Sequence, residues 1–280
     1  MGPNLACALT WRFSGAEQCL WHQRDEGRGR PSRFWERLAV RNSSCFVSNS
    51  DQGTHFLMQE LLIPKERIHF IPNAVDPSPP MYTRKQWREN LGITENTTCV
   101  CMVANLHAHK DHATLLRAWQ LVQKRWETGC GIKPLPLLLL AGRFGNTADR
   151  LQKLARESAL ANTVRFLGPV NDISGLLGAV DLGVFSSYRE GMPNAVLEYC
   201  AAGLAVVATD IPGTRAIVGE KANHWLTPPK DPGALAVRLL ELLENVEVRR
   251  RTGECNRFRA EKEFGPERLI STYKQLFRIP

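Results

Sequence analysis

Short apolar blocks recur along the chain, separated by longer stretches with helical spacing. Residues 99–104, 135–141, 164–167, 180–185 and 204–208 read as strands. The unbroken run Leu137-Leu138-Leu139-Leu140 fits a strand buried on both faces, because a half-wet strand alternates apolar with polar. Residues 111–127, 149–161 and 193–202 have helical spacing. In the first of these, Leu115, Leu116, Trp119 and Val122 share one face. Asp231 is placed to cap a helix whose first position is Pro232, and two charged helices close the chain. Strands alternating with helices imply βαβ units and a parallel sheet.

The first 80 residues read differently. The opening is irregular, and residues 24–41 are dense in arginine and glycine. An amphipathic helix is expected over 33–42, a strand over 45–48, a helix over 51–62 and a strand over 68–73. Residues 77–80 form a Pro/Ser linker. The expected fold class is α/β: a Rossmann-like parallel sheet with flanking helices, preceded by a truncated N-terminal α/β segment. Three parts follow: residues 1–80 as that segment and linker, 81–264 as the Rossmann-like domain, and 265–280 as a C-terminal helix packing back toward the N-terminal part.

The chain has 280 residues, 43% hydrophobic and 23% charged, so a buried core is expected. Its formal net charge is +8, which favours phosphate-bearing partners without choosing among nucleic acid, lipid headgroups and nucleotides. The basic segments 24–41 and Arg249-Arg250-Arg251 read as solvated helix faces or a peripheral membrane contact, not a nucleic-acid site. The second has no stacking aromatic within it, and Phe34 and Trp35 in the first suit the apolar face of its helix. The eight cysteines form no C-x-x-C pair and read as reduced core thiols of a cytoplasmic protein. Residues 1–20 lack the continuous apolar stretch of a signal peptide, and no apolar run reaches the roughly 18–20 residues of a bilayer span.

In doubly wound sheets, ligands sit where strands end and helices begin. After residues 180–186 come Glu190, Gly191, Met192, Pro193 and Asn194, then Glu198. Gly191 permits close backbone approach, and Pro193 opens a helix whose first turn can hold an anion. Glu190 and Glu198 can accept hydrogen bonds from sugar hydroxyls, although acidic residues are common in first helical turns for electrostatic reasons alone. After residues 99–104, Lys110 stands at the start of the next helix and can neutralise a diphosphate, or simply be solvated there. His107, His109 and His112 lack a completing ligand for a metal site. Ala141-Gly142-Arg143-Phe144-Gly145 is a glycine turn, but the chain has neither a dinucleotide fingerprint nor a P-loop, and no D-x-D pair. No cofactor and no metal are expected.

Taken in order, these motifs resemble the family 4 glycosyltransferases, which are retaining enzymes of the two-domain GT-B fold. Val47-Ser48-Asn49-Ser50 resembles the last strand of that family's N-terminal domain, and Ile71 to Asp76 its "IPNGVD" crossing. Val103 to Lys110 resembles the "vGRL…K" loop, and Val164 to Gly168 the loop that receives the base. Asp181 to Glu198 resembles the "aD…S..EG.PN..LE" signature with its E-x7-E pair, and Ala202-Gly203 and Thr209 to Gly213 continue the pattern. The resemblance covers about residues 45–275.

It implies a UDP- or GDP-sugar donor, a glycan or lipid-linked acceptor, and catalytic roles for Lys110 and Glu190. Lys110 and Asn105 would meet the diphosphate, Phe166, Leu167 and Gly168 the base, and Glu190 the transferred sugar. The backbone of Gly191, Met192, Pro193 and Asn194 would cradle phosphate and sugar, and Glu198 would hold the ribose. Asn105 stands where the family has arginine, and Ala216 where it has a glutamate. Arg24 stands where it has a functional histidine, with His22 close by. Only residues 1–46 precede the Val47 motif, where roughly 100–150 are expected. The alternative is therefore a donor-binding subunit or inactive fragment that needs a partner chain to supply the acceptor site. A nucleotide-sugar epimerase is disfavoured, since no acid/base pair stands outside the signature.

Overall fold

The computed structural model describes residues 2–24, 34–76, 78–129 and 134–278. Part of the arginine-rich segment (25–33), Pro77 of the linker, and Cys130 lie outside the described residues. The chain divides into two compact units: residues 1–74, 190–192 and 267–280, and residues 75–189 with 193–266.

The first unit begins with helix α1 (Gly2–Thr10), where the sequence suggested irregular chain. Leu5, Ala8 and Leu9 recur at helical spacing and pack on the unit's core, so tertiary burial stabilises a helix too short to be stable alone. Strand β1 (Leu20–Gln23), helix α2 (Phe34–Asn42), strand β2 (Cys45–Ser48), helix α3 (Asp51–Gln59) and strand β3 (Ile68–Phe70) follow. The three strands are parallel in the order β1-β2-β3. The Val47 motif is therefore on the central strand rather than the last, because β3 pairs with it through Val47 and His69. Helix α3 is shorter than expected, and Leu62 beyond it takes φ +54°. The core here is Ala8, Cys19, Trp21, Ala39, Val40, Phe46, Leu57 and Ile63.

The second unit contains helix α4 (Arg84–Asn90), strand β4 (Cys99–Val103), helix α5 (His112–Gly129), strand β5 (Leu137–Ala141), helix α6 (Ala148–Glu157) and strand β6 (Val164–Gly168). Helix α7 (Ile173–Ala179), strand β7 (Leu182–Phe185), helix α8 (Asn194–Ala201), strand β8 (Ala205–Thr209) and helix α9 (Pro212–Val218) come next. Strand β9 (Leu226–Thr227) and helices α10 (Pro232–Glu244) and α11 (Val246–Phe264) complete it. The last helix, α12 (Pro266–Phe277), groups with the first unit from Glu267 onward.

The second unit's six strands are parallel in the order β6-β5-β4-β7-β8-β9. Strand β5 is buried at every position, as its four leucines imply. Leu115, Leu116, Trp119 and Val122 of α5 are all buried. The Asp231 carboxylate accepts from Ala234 N at 2.9 Å, which caps α10 with Pro232 in its first turn. Strand order reverses direction between β4 and β7, and the crevice at such a reversal is where these sheets bind ligands.

Among the described residues the seven cysteines are free, but Cys7 and Cys255 are exposed rather than in the core. No helix is long and apolar enough to cross a membrane, and no group of three or more metal-ligating side chains converges, again among the described residues.

Candidate functional site

The turn after β4 carries Lys110. Ala108–Lys110 is a single tight helical turn, and Asp111 takes φ +48°. Lys110 thus precedes α5 rather than opening it. Asp111 then caps α5, its carboxylate meeting Thr114 N at 3.3 Å and Thr114 Oγ1 at 2.8 Å. The left-handed residue breaks the chain's direction, so Lys110 stands on a turn separate from the helix. Its Nζ lies 5.4 Å from the Phe185 ring centroid.

The turn after β7 is bonded to it. Tyr188 N donates to the His109 carbonyl at 3.1 Å. Ser187 Oγ donates to the same carbonyl at 2.9 Å, and Ser186 Oγ reaches the Lys110 and Asp111 carbonyls at 3.0 and 3.1 Å. Both switch-point strands therefore end in one hydrogen-bonded assembly.

Helix α8 begins beyond Pro193, whose own side chain makes no capping hydrogen bond. The α8 amino end thus retains its positive dipole end beside the β7 turn. Glu198 is half-buried in its second turn, and burial raises its carboxyl above the usual range. The next residue, Tyr199, is buried and its hydroxyl accepts from Val103 N at 2.5 Å, which fixes α8 against β4. Asp181, the first residue of the signature, is structural. It accepts from Cys99 N at 2.7 Å and pairs with Arg84 at 2.9 Å.

Asn105 uses its side-chain oxygen inside the protein, accepting from Arg143 N at 3.0 Å. It joins the β4 turn to the β5 turn, a task sequence reasoning did not give it. A Cβ at Gly142 would stand 2.1 Å from the Ala104 carbonyl oxygen, so only glycine lets these two turns approach. The end of β6 brings Phe166 and Leu167, both half-buried, and Gly168 at φ +71°. Phe144 was passed over in the sequence as part of a glycine turn. It is 53% exposed, and a Cβ on Gly168 would lie 3.7 Å from its ring. An exposed aromatic beside the expected base loop is the signal that could have found it.

Glu190, Gly191 and Met192 group with the first unit, apart from Lys110, Asn105, Phe166–Gly168, Pro193, Asn194 and Glu198, which lie in the second. Within the first unit, the Met192 carbonyl accepts from Asn73 Nδ2 at 3.3 Å. A Cβ on Gly191 would come 2.9 Å from the Arg24 carbonyl and 3.2 Å from Ser50 Oγ. His22 of β1 has its pKa lowered by burial and by Arg24, whose Nε lies 3.2 Å from its Nδ1.

The family described as "Glycosyl transferases group 1" matches residues 83–259. A D-inositol 3-phosphate glycosyltransferase of Corynebacterium jeikeium is 28% identical over 257 residues, covering 87% of this chain and 60% of the relative. The crystal structure of Anabaena HepE in complex with UDP and glucose superposes with a TM-score of 0.84 at 19% identity, covering 100% of this chain and 76% of that one. A sucrose-phosphate synthase from Thermosynechococcus elongatus gives a TM-score of 0.79 at 22% identity, over 96% of this chain and 69% of that one. The chain spans 44% to 60% of the length of the first curated relatives it matches.

Proposed function

The chain belongs to the group 1 glycosyl transferases, and on that footing we propose a retaining transfer of a sugar from a UDP- or GDP-linked donor to a glycan, lipid or small-molecule acceptor. The observation that carries this reading is the fusion of the two switch-point turns, which holds Lys110 on one turn and leads the other toward the amino end of α8. Charge builds on the departing diphosphate as the glycosidic bond breaks. A fixed ammonium and a helix amino end already oriented toward that charge stabilise it without reorganising. Glu198 takes the ribose hydroxyls, Phe166–Gly168 the base with Phe144 stacking beside it, and Glu190 the transferred sugar. The oxocarbenium-like state needs no protein nucleophile, and the leaving phosphate assists removal of the acceptor proton. The HepE structure holds UDP and glucose, which supports a nucleotide-sugar donor here.

Thermal shift against UDP, GDP, ADP and their sugars tests the donor. A nucleotide at about 100 times its dissociation constant should stabilise the protein by roughly 2.7 kcal/mol. Lys110→Ala and Glu190→Ala are then assayed for transfer. No nucleotide shift, with unchanged transfer in both variants, sinks the proposal. Turnover by this chain alone would also decide against its being a donor-binding subunit of a larger assembly.

A further inference from the structure

A line of buried hydroxyls runs beneath the donor side of the second unit. Thr214 Oγ1 meets the Thr209 carbonyl at 2.6 Å and the Ile211 carbonyl at 2.8 Å, and takes the Ile211 N–H at 3.2 Å. Thr209 Oγ1 donates to the Ser187 carbonyl. Ser187 Oγ takes the Arg189 N–H at 3.5 Å and donates to the His109 carbonyl at 2.9 Å. Ser186 Oγ lies 3.0 Å and 3.1 Å from the carbonyls of Lys110 and Asp111. All four side chains are at most 1% exposed. The line starts in α9, crosses the ends of β8 and β7, and finishes on three successive carbonyls of the turn that bears Lys110.

Each hydroxyl here lies on a carbonyl at a strand end, in a turn or at a helix start, and those of His109, Asp111, Thr209 and Ile211 also take backbone N–H donors. A buried hydroxyl is costly to leave unpaired, so each of these contacts ties its two backbone segments together as well as satisfying the side chain. The tight helical turn ends at the left-handed Asp111, and its own backbone bonds, Lys110 N to the His107 carbonyl at 3.0 Å and Asp111 N to the Ala108 carbonyl at 3.2 Å, are local, so they shape the turn without tying it to β7. Ser186 and Ser187, together with Tyr188 N on the His109 carbonyl, supply that tie from just beyond the end of the neighbouring strand.

We infer that Ser186 and Ser187, backed by Thr209 and Thr214, are positioning residues that hold the Lys110 turn against the end of β7 for a nucleoside diphosphate. This rests on the reading of Lys110 as a diphosphate ligand. The serines do not touch the donor. They determine where the ammonium stands when the donor arrives, a placement in which even a shift of about 1 Å is expensive.

The test is a double-mutant cycle on purified full chain, with UDP affinity measured by calorimetry and donor KM and kcat measured separately. Lys110→Ala should weaken UDP binding roughly 10- to 100-fold, the loss expected for a charged hydrogen bond. Ser187→Ala and Ser186→Ala should each weaken it up to roughly tenfold. In the Lys110→Ala background the serine changes should add less than about twofold, because the group they position is gone. Thr209→Val should weaken UDP binding by roughly threefold while Thr209→Ser restores it, and this pair serves if a serine variant does not fold. Ser43→Ala removes a comparable buried hydroxyl-to-carbonyl bond, to Ala39 at 2.9 Å, within the first unit. It should lower the melting temperature without moving UDP affinity. Serine variants that bind UDP like the wild type, or that lose equal affinity with and without Lys110, overturn the inference. Lys110→Ala binding UDP normally would instead overturn the reading beneath it, and the inference with it.

Discussion

Burial holds the His112 imidazole neutral at the first position of α5. The residue is 1% exposed, and neither ring nitrogen has a partner in hydrogen-bonding geometry. Burial first and the Lys110 charge second lower its pKa to about 4, against an opposing pull from the Ala104 backbone. The unfolded chain takes up this proton near pH 6.5 and the folded chain resists until about 4, so the unfolded state binds more protons between those values. Stability is therefore full above about pH 6.5 and falls as pH drops toward 4, by up to about 3 kcal/mol. Urea unfolding across pH 4 to 8 checks this, and His112→Phe should flatten the acid limb. Glu198 has the opposite sign. Its raised pKa means that acidification relieves a cost of burying the carboxylate, so it cannot produce that fall. For ligand, Glu198→Gln should weaken UDP binding by about 1.5–3 kcal/mol if the carboxylate accepts the ribose hydroxyls, as calorimetry would show. These residues differ in how far the sequence revealed them. Lys110 and Glu198 stood out through motif order. His112 stands in the sequence only as a histidine without the partners of a metal site, because residue type alone does not report burial. Asn105 was read against an arginine in its place, while its work in the structure is to bond Arg143 N.

Elements were legible wherever the period ran long enough. The four leucines of β5 and the apolar face of α5 gave type and position correctly. Helices α7 and α9 went unseen because seven residues are under two turns, too few for a period to declare itself. Their signals are single residues instead. Asp172 caps α7 through Gly175 N at 3.0 Å and also accepts from Met81 N, Tyr82 N and Trp87 Nε1, at 3.1, 3.1 and 2.8 Å. Burial works to raise its pKa, but those donors together lower it. One carboxylate thus joins the chain entering α4, a side chain of α4 itself and the start of α7. Asp172→Ala removes a helix cap and orphans three further donors, and should cost about 2–4 kcal/mol in urea unfolding. Asp172→Asn keeps acceptor capacity and should cost less. An equal loss in both variants would place the effect in packing rather than in the bonds. Arg88 makes the same point more sharply. Within the polar stretch Arg84–Asn90 nothing marks it as buried, yet it is 1% exposed and its guanidinium bonds the carbonyls of Ala179, Thr94 and Thr97.

At the scale of the molecule, the α/β class and parallel sheets followed from strand–helix alternation, since that connectivity leaves few ways to bury both faces. What alternation does not give is which residues cluster into which unit. Glu190–Met192 are a few residues from Asn194 in sequence but cluster with the first unit, because that grouping depends on contacts such as Asn73 with Met192. The units also differ in construction: among the described residues, three parallel strands in one and six in the other. Buried apolar area sets the free energy needed to open a region, so the slowest-exchanging amides should lie in β4, β5, β7 and β8, with β1–β3 exchanging at lower cost. The proposed ligands of the base, ribose and diphosphate are all in the second unit. Hydrogen exchange with and without UDP at about 100 times its dissociation constant should therefore raise the second unit's opening free energy by roughly 2.7 kcal/mol. The gain should be largest locally at residues 105–112, 142–145, 166–168 and 186–189, where turns are held by few backbone bonds, and β1–β3 should change least. Equal protection of both sheets, or protection confined to the first unit, would move the nucleotide site away from Lys110 and Glu198.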